Sequence, residues 1–364
     1  MFAYIVRRLL LIVPTLIGIM IVNFAVVQVV PGGPVEQLIA EIQGTAVMAT
    51  ARVSGSTGEV AATATGGGED SVYRGAQGLD PEFVADLERT FGLDKPPGER
   101  FLLMMGRYLT FDFGDSYFQS RSVVSIVLDK MPVSVSLGLW TTILIYLVAI
   151  PLGIAKAVRD GSRFDVATSV VIVVGQAIPA FLFAILLIVL FAGGSYVQWF
   201  PLRGLSSPGI ESESWLVQVA DYFWHLALPL TALLVGSFAT LTMLTKNSFL
   251  EEIGKLYVAA ARAKGLSERR VLYRHVFRNA MLIVIAGFPA TIVGILFTGA
   301  LIIEIIFSLD GLGLLGFESA IRRDYPVMFA TLYVFTLLGL VMRLVGDLTY
   351  VAVDPRIDFE RRET

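Results

Sequence analysis

The chain alternates long apolar runs with short polar stretches, and six of the runs are long enough to cross a bilayer as helices. They lie at about 9–30, 134–155, 166–192, 225–246, 280–307 and 327–352. Each covers the roughly 30 Å of a hydrocarbon core at about 1.5 Å per residue. The first run, Leu9 to Val30, has 22 residues, longer than the core of a cleaved leader. No small-x-small cleavage pattern follows it, so it is expected to remain as a first span. The first five runs hold one proline each: Pro14, Pro151, Pro179, Pro229 and Pro289. Proline removes a backbone hydrogen bond and bends a helix, which membrane helices tolerate when neighbours satisfy the freed carbonyl. Bent helices suit a cavity that opens alternately, although prolines are common in membrane helices in any case.

Polar positions inside the runs are few: Asn23, Gln28, Gln176, Glu304, Arg343 and Asp347. A polar or ionisable group within a span is a functional candidate by default. Gln176 and Glu304 are therefore candidates for lining a translocation path. Glu304 has no basic residue within helical reach, and it suits interfacial solvation or a cap on the following loop equally well. Arg343 and Asp347 are four apart and are expected to pair on one helix face. No series of acids and histidines runs through the spans, as a proton-coupled pump would need.

Lys and Arg placement sets the expected orientation. Lys156, Arg159 and Arg163 follow the second run. Lys246, Lys255, Arg262, Lys264, Arg269, Arg270, Arg274 and Arg278 follow the fourth, and Arg356, Arg361 and Arg362 close the chain. The opposite loops carry only Arg203 and the pair Arg322 and Arg323. Both termini are thus expected on the cytoplasmic side of the membrane, with residues 31–133 outside it. Within that outer region, 44–78 is rich in Gly, Ala, Ser and Thr and reads as a flexible insertion. Residues 80–117 read as two amphipathic helices. Asp80-Pro81-Glu82 starts the first, with Phe83, Leu87 and Phe91 on one face and Gly92 ending it. Phe101, Leu102, Met105 and Leu109 form the stripe of the second, after Pro96-Pro97. Such helices suit packing on the membrane surface or a partner-binding surface.

The largest polar element on the basic side is the loop 247–279. Within it, Tyr257 to Asn279 reads YVAAARAKGLSERRVLYRHVFRN. Leu256, Ala259, Ala260 and Ala263 share one helical face at i, i+3, i+4 and i+7. Gly265 suits a left-handed cap, and Ser267-Glu268 suits the start of a second helix. A short helix with a small-residue face fits a groove on a soluble partner; a membrane-surface helix in a positive-inside loop is the simpler alternative.

Composition narrows the chemistry. The 364 residues are 55% hydrophobic and 16% charged, with a mean hydropathy of +0.72, so the bilayer is part of the solvent. There is no cysteine, which excludes disulfides and thiol catalysis, and with only His225 and His275 no metal site is expected. A net charge of −3 gives no reason to expect nucleic acid as a partner. No GxxxxGK[ST], HExxH or GxSxG occurs, so the chain is not expected to be an enzyme or to bind ATP through a phosphate loop.

The segment 257–279 resembles the cytoplasmic coupling loop of ABC-importer permeases of the dipeptide and oligopeptide family. Ala259-Ala260-Ala261 stands at the family's EAA triplet and Gly265 at its glycine. The I-x-L-P ending is replaced by His275-Val276-Phe277-Arg278, as in the peptide subfamily, whose loops read ARAKG and then R-H-x-x-R-N. Pro31-Gly-Gly-Pro34, Phe91-Gly-Leu-Asp-Lys-Pro96, Phe111-Asp-Phe-Gly-Asp-Ser116, Phe307-Ser-Leu-Asp-Gly-Leu-Gly313, Arg323-Asp-Tyr-Pro326 and Val353-Asp-Pro-Arg356 match the family in order. The length, the insertion and LTMLTKNSFLEE are similar to the Yej-type branch, associated with uptake of oligopeptides and microcin C.

The resemblance implies an all-α polytopic protein with a type I ABC importer permease fold and a large insertion between helices one and two. Residues 1–30 would hold the N-terminus and first span, 134–352 the permease core, and 353–364 a cytoplasmic tail. It implies a second homologous permease subunit, a cytoplasmic ABC ATPase carrying ATP and Mg, and a periplasmic peptide-binding protein, with lipids around the spans. Tyr257, Ala260, Arg262, Ala263, Lys264 and Gly265 would form the coupling helix and its stop. Nickel and glutathione importers share the family, and a secondary transporter is the more distant alternative.

Overall fold

The computed structural model describes residues 2–29, 33–35, 38, 89, 93–193, 196–294 and 300–353. The insertion at 44–78 and the amphipathic helix expected from Asp80 lie outside them. The described chain is almost wholly helical, its only strand-like pairing being an isolated bridge between Asp115 and Ser122. Helix α1 runs Phe2–Val29, α2 Pro97–Tyr108 and α3 Val123–Val158. Helices α4 (Arg163–Ala177), α5 (Ala180–Phe191) and α6 (Trp215–Ile253) follow. Then come α7 (Leu256–Ala263), α8 (Glu268–Val271) and a π-helical turn, Leu272–Val276. The π turn leads without interruption into α9 (Phe277–Gly294). Last are α10 (Ala300–Ile306), α11 (Leu312–Arg322) and α12 (Tyr325–Val353).

Among the described residues five helices are long and apolar enough to span a membrane, or six if α4 and α5 count as one span. The apolar runs underestimate the helices. The 39 residues of α6 extend about 58 Å, roughly twice the hydrocarbon thickness. Hydropathy registers only the lipid-facing part of such a helix, whereas its hydrogen-bonding continues through the polar turns at both ends.

The third run departs from the expected single span: α4 and α5 meet at 91°. Pro179 stands before the first residue of α5, and Ile178 is extended at φ −84°, ψ 117°. A proline disfavours helical backbone in the residue before it, and here the chain turns at that point. Pro14, Pro151, Pro229 and Pro289 instead stay inside continuous helices. The bend rests on α6 through small residues. A Cβ on Gly175 would lie 3.7 Å from Val235, and one on Gly236 would lie 3.7 Å from the Ala180 methyl.

The chain packs as two units. The first comprises Met1–Val6, Pro132–Gly313 and Leu338–Thr364. In it α3 and α6 touch backbone to side chain at Gly153, where a Cβ would stand 2.6 Å from Thr245 Cβ and 2.8 Å from the Thr242 carbonyl. Tyr4 donates to Asp347 Oδ2 at 2.9 Å, so the start of α1 engages that carboxylate.

The second unit comprises Arg7–Met131 and Leu314–Leu337. Its aromatic core joins Tyr108, Phe113 and Tyr333 edge to face, with centroids 4.8–5.7 Å apart. The α2 stripe expected from the sequence divides here. Met105 and Tyr108 are buried, whereas Leu102 and Leu109 are exposed. The buried face follows the i, i+4, i+7 row Phe101, Met105, Tyr108, and the expected stripe mixed that row with its neighbour.

Candidate docking surface at residues 254–279

The loop after α6 is a compact helical hairpin, built from its capping residues outward. Gly254 ends α6, its N–H reaching the Leu250 carbonyl at 3.3 Å. Extended Lys255 then starts α7. Val258 is fully buried and Ala261 nearly so, in a cluster with Ile154 and Ala157 of α3, Phe249 of α6 and Val276 of the π turn. Burying Val258 contributes about 1.5–3 kcal/mol toward holding α7 in place. The opposite face is open: Leu256 is 88% exposed, and Ala259, Ala260 and Ala263 are exposed beside it. These four are the residues that share a face in the sequence.

The helix stops in a Schellman motif. Gly265 has φ +78°; its N–H donates to the Arg262 carbonyl at 2.9 Å, and the Leu266 N–H reaches the Ala261 carbonyl at 3.4 Å. Beyond the stop, Arg262 pairs with Glu268 through two parallel bonds of 2.9 and 3.1 Å, spanning α7 and the first turn of α8. Ser267 stands at the N-cap of α8 as expected, without a side-chain capping bond.

The base of the hairpin is held by polar contacts. Tyr257 donates to Glu252 Oε2 at 2.6 Å and accepts from Asn279 Nδ2 at 3.3 Å. Burial, then the bond to Glu252, raises the Tyr257 phenol above its ordinary value. Lys255 also bonds Glu252, and Ser248 donates to the Ala280 carbonyl at 2.6 Å, tying α6 to α9. The structure therefore separates the six expected coupling residues. Tyr257 turns inward as a brace, while Ala260, Arg262, Ala263, Lys264 and Gly265 lie on the exposed side. Exposed Arg269 and Arg270 continue that side along α8, and a groove of about 320 Å³ beside it is lined by Ala157, Ile253, Arg262 and Tyr273.

The two path candidates sit apart from this hairpin. Gln176 is exposed one residue before the end of α4, at the 91° bend. Glu304 is fully buried. It accepts from Ser134 Oγ at 2.9 Å, and that oxygen accepts from the Leu312 N–H at 2.8 Å. A Cβ on Gly311 would lie 2.3 Å from Glu304 Oε1, and one on Gly313 would lie 3.0 Å from Oε2. The carboxylate fills the space that the two glycines leave, and so organises the loop of Phe307 to Gly313. In the second unit, Ser116 Oγ donates to Asp324 Oδ2 at 2.5 Å and the Tyr117 N–H to Oδ1 at 3.3 Å.

Comparison with known proteins places this architecture in a family. Residues 149–359 match the binding-protein-dependent transport system inner membrane component. The peptidoglycan transport system permease protein YejB of Agrobacterium fabrum is 59% identical over 99% of both chains. The inner membrane ABC transporter permease protein YejB of Escherichia coli O157:H7 is 58% identical over 99% of this chain and all of that one. The oligopeptide transport system permease protein AppB of Bacillus subtilis is 31% identical over 99% of this chain and all of that one. The chain belongs to the binding-protein-dependent transport permeases, as a multi-pass inner-membrane subunit of the peptide-importer group with the type I ABC importer permease fold.

Proposed function

We propose that this chain is one half of the pore of an ATP-driven importer, carrying peptides inward and receiving its energy through the exposed face of α7. The observation that carries the reading is the geometry of α7. Its Val258 edge is anchored in the core, its Leu256–Ala263 face is open, and Gly265 fixes its end. A small-residue face lets a partner approach closely, and a helix anchored along one side transmits the push it receives. The partner is an ABC ATPase holding ATP and Mg, which hydrolyses the nucleotide. A second homologous permease completes the pore, and a periplasmic binding protein delivers the substrate. The Lys and Arg content of the loops supports a cytoplasmic location for both termini and α7.

Oligopeptides are the proposed substrate class, with peptide-nucleotide antibiotics such as microcin C as members. The Agrobacterium relative is a peptidoglycan transport permease, which supports peptides derived from peptidoglycan as a second member of the class. The deciding experiment measures ATP hydrolysis by the purified complex with its binding protein and each candidate. Stimulation by oligopeptides supports the reading; stimulation by nickel chelates or glutathione, and not by any oligopeptide, replaces the substrate.

A further inference from the structure

Around the turn between α3 and α4, Lys156, Asp160 and Asp165 meet Lys246 of α6 in a charge set that the docking surface does not use. Lys156 of α3 is fully buried. Its Nζ lies 2.9 Å from Asp165 Oδ1 and bonds the Asp165 carbonyl at 2.8 Å, Thr168 Oγ1 at 2.9 Å and Ser169 Oγ at 2.7 Å. From α6, Lys246 reaches both oxygens of the same carboxylate at 2.9 and 2.7 Å. Lys246 also meets Asp160 at 2.8 Å. The turn is shaped for this: Gly161, at φ +71°, donates its N–H to Asp165 Oδ2 at 3.1 Å, and Ser162 Oγ accepts from the Asp165 N–H at 3.2 Å. Within this set two cations meet two anions, and all of these contacts lie within the first unit.

The position of this set gives it a consequence. It ties the start of α4 to α6 one residue beyond Thr245, where α3 and α6 already touch at Gly153. Seven residues after Lys246, α6 ends, and α7 follows. The buried face of α7 shares a hydrophobic cluster with Ile154 and Ala157, in the last two turns of α3. At its far end α4 stops at the 91° bend. Burying charges is costly unless they are paired, and a pair held this closely leaves little freedom for its elements to slide.

We propose that Asp165 and Lys246 are positioning residues for transport. They make the α3–α4 turn, the end of α6 and α7 move as one body, so that displacement of α7 reaches α4 and is taken up at the bend around Ile178 and Pro179. The inference rests on the reading of α7 as the place where the ATPase pushes. Lys246 is the residue to vary, because removing Asp165 would strand the buried Lys156, whereas Lys246→Gln leaves the Lys156–Asp165 pair intact.

In the purified complex, Lys246→Gln is expected to assemble and to keep basal ATP hydrolysis, since Lys246 lies off the docking face. Substrate moved per ATP should fall at least about fivefold, the low end of ordinary coupling between sites. Lys246→Arg should restore part of it. An unchanged ratio overturns the proposal. A second measurement leaves these charges in place. Because the chain has no cysteine, spin labels at Arg163→Cys and Glu251→Cys report the distance across the charge set. That distance should stay constant between nucleotide-free and nucleotide-trapped complexes, while the distance from Arg163→Cys to a label at Leu182→Cys on α5 changes. Separation of the first pair on trapping also overturns it. A wild-type complex whose ATP hydrolysis ignores peptide and binding protein would instead refute the importer reading on which the proposal rests.

Discussion

Gly265 and Gly311 are both required, for different physical reasons. At Gly265 a Cβ would meet nothing within 4 Å, and the constraint is φ +78° alone. A left-handed backbone costs an ordinary side chain about 1–2 kcal/mol. Gly265→Val is therefore expected to loosen the end of α7 and reduce ATP-driven peptide uptake at normal expression, whereas Gly265→Asn keeps most of it. At Gly311 the constraint is space, since Glu304 Oε1 occupies the position of a Cβ. Gly311→Ala should lower stability by about 1–3 kcal/mol, as overpacking does, seen as an earlier thermal transition of the chain in detergent. Gly106 of α2 is the control. A Cβ there meets nothing within 4 Å, so Gly106→Ala should leave the transition unchanged or raise it slightly.

At the scale of elements, the sequence reveals those that rest on local rules. Six apolar runs, the small-residue face from Leu256 to Ala263, the glycine stop and the Ser267 start all follow from periodicity and capping. What it hides depends on contacts distant along the chain. Pro179 breaks a helix and Pro151 does not, and nothing in their immediate neighbours distinguishes them. Lys156, which the sequence shows only as one of the basic residues after the second run, is fully buried because Asp165 folds back over it and Lys246 closes the set from another helix. Glu304 showed its lack of a basic neighbour in the sequence. The glycines that accommodate it became legible only once α10 and the following loop were placed.

The junction before α12 adds a pH dependence. Burial raises the Asp324 carboxyl above its ordinary 3.8, against the opposing bonds from Ser116 and Tyr117. A carboxyl with a raised folded value binds its proton more tightly in the native state. Its stabilisation is full below the unfolded value and is lost as pH rises through the folded one. Hydrogen exchange around Tyr117 should therefore quicken as pH rises from about 4 toward neutrality, beyond the intrinsic base-catalysed increase. Asp324→Asn should abolish that excess. An equal excess in the variant would assign it to another group.

At the scale of the whole molecule, the proposed function has energy enter an apolar helical chain through the open face of α7. The chain itself has the fold of a transport permease; ATP hydrolysis and substrate delivery fall to the proposed partners. The most direct test is uptake of labelled peptide into proteoliposomes containing the assembled transporter, comparing wild type with Ala260→Asp, which places a charge on the open face and leaves Val258 and Ala261 buried. Wild-type uptake should need both ATP and the binding protein, and Ala260→Asp should abolish it while the chain remains folded in the membrane. Undiminished uptake by Ala260→Asp, or uptake by this chain without an ATPase, would contradict the proposed function.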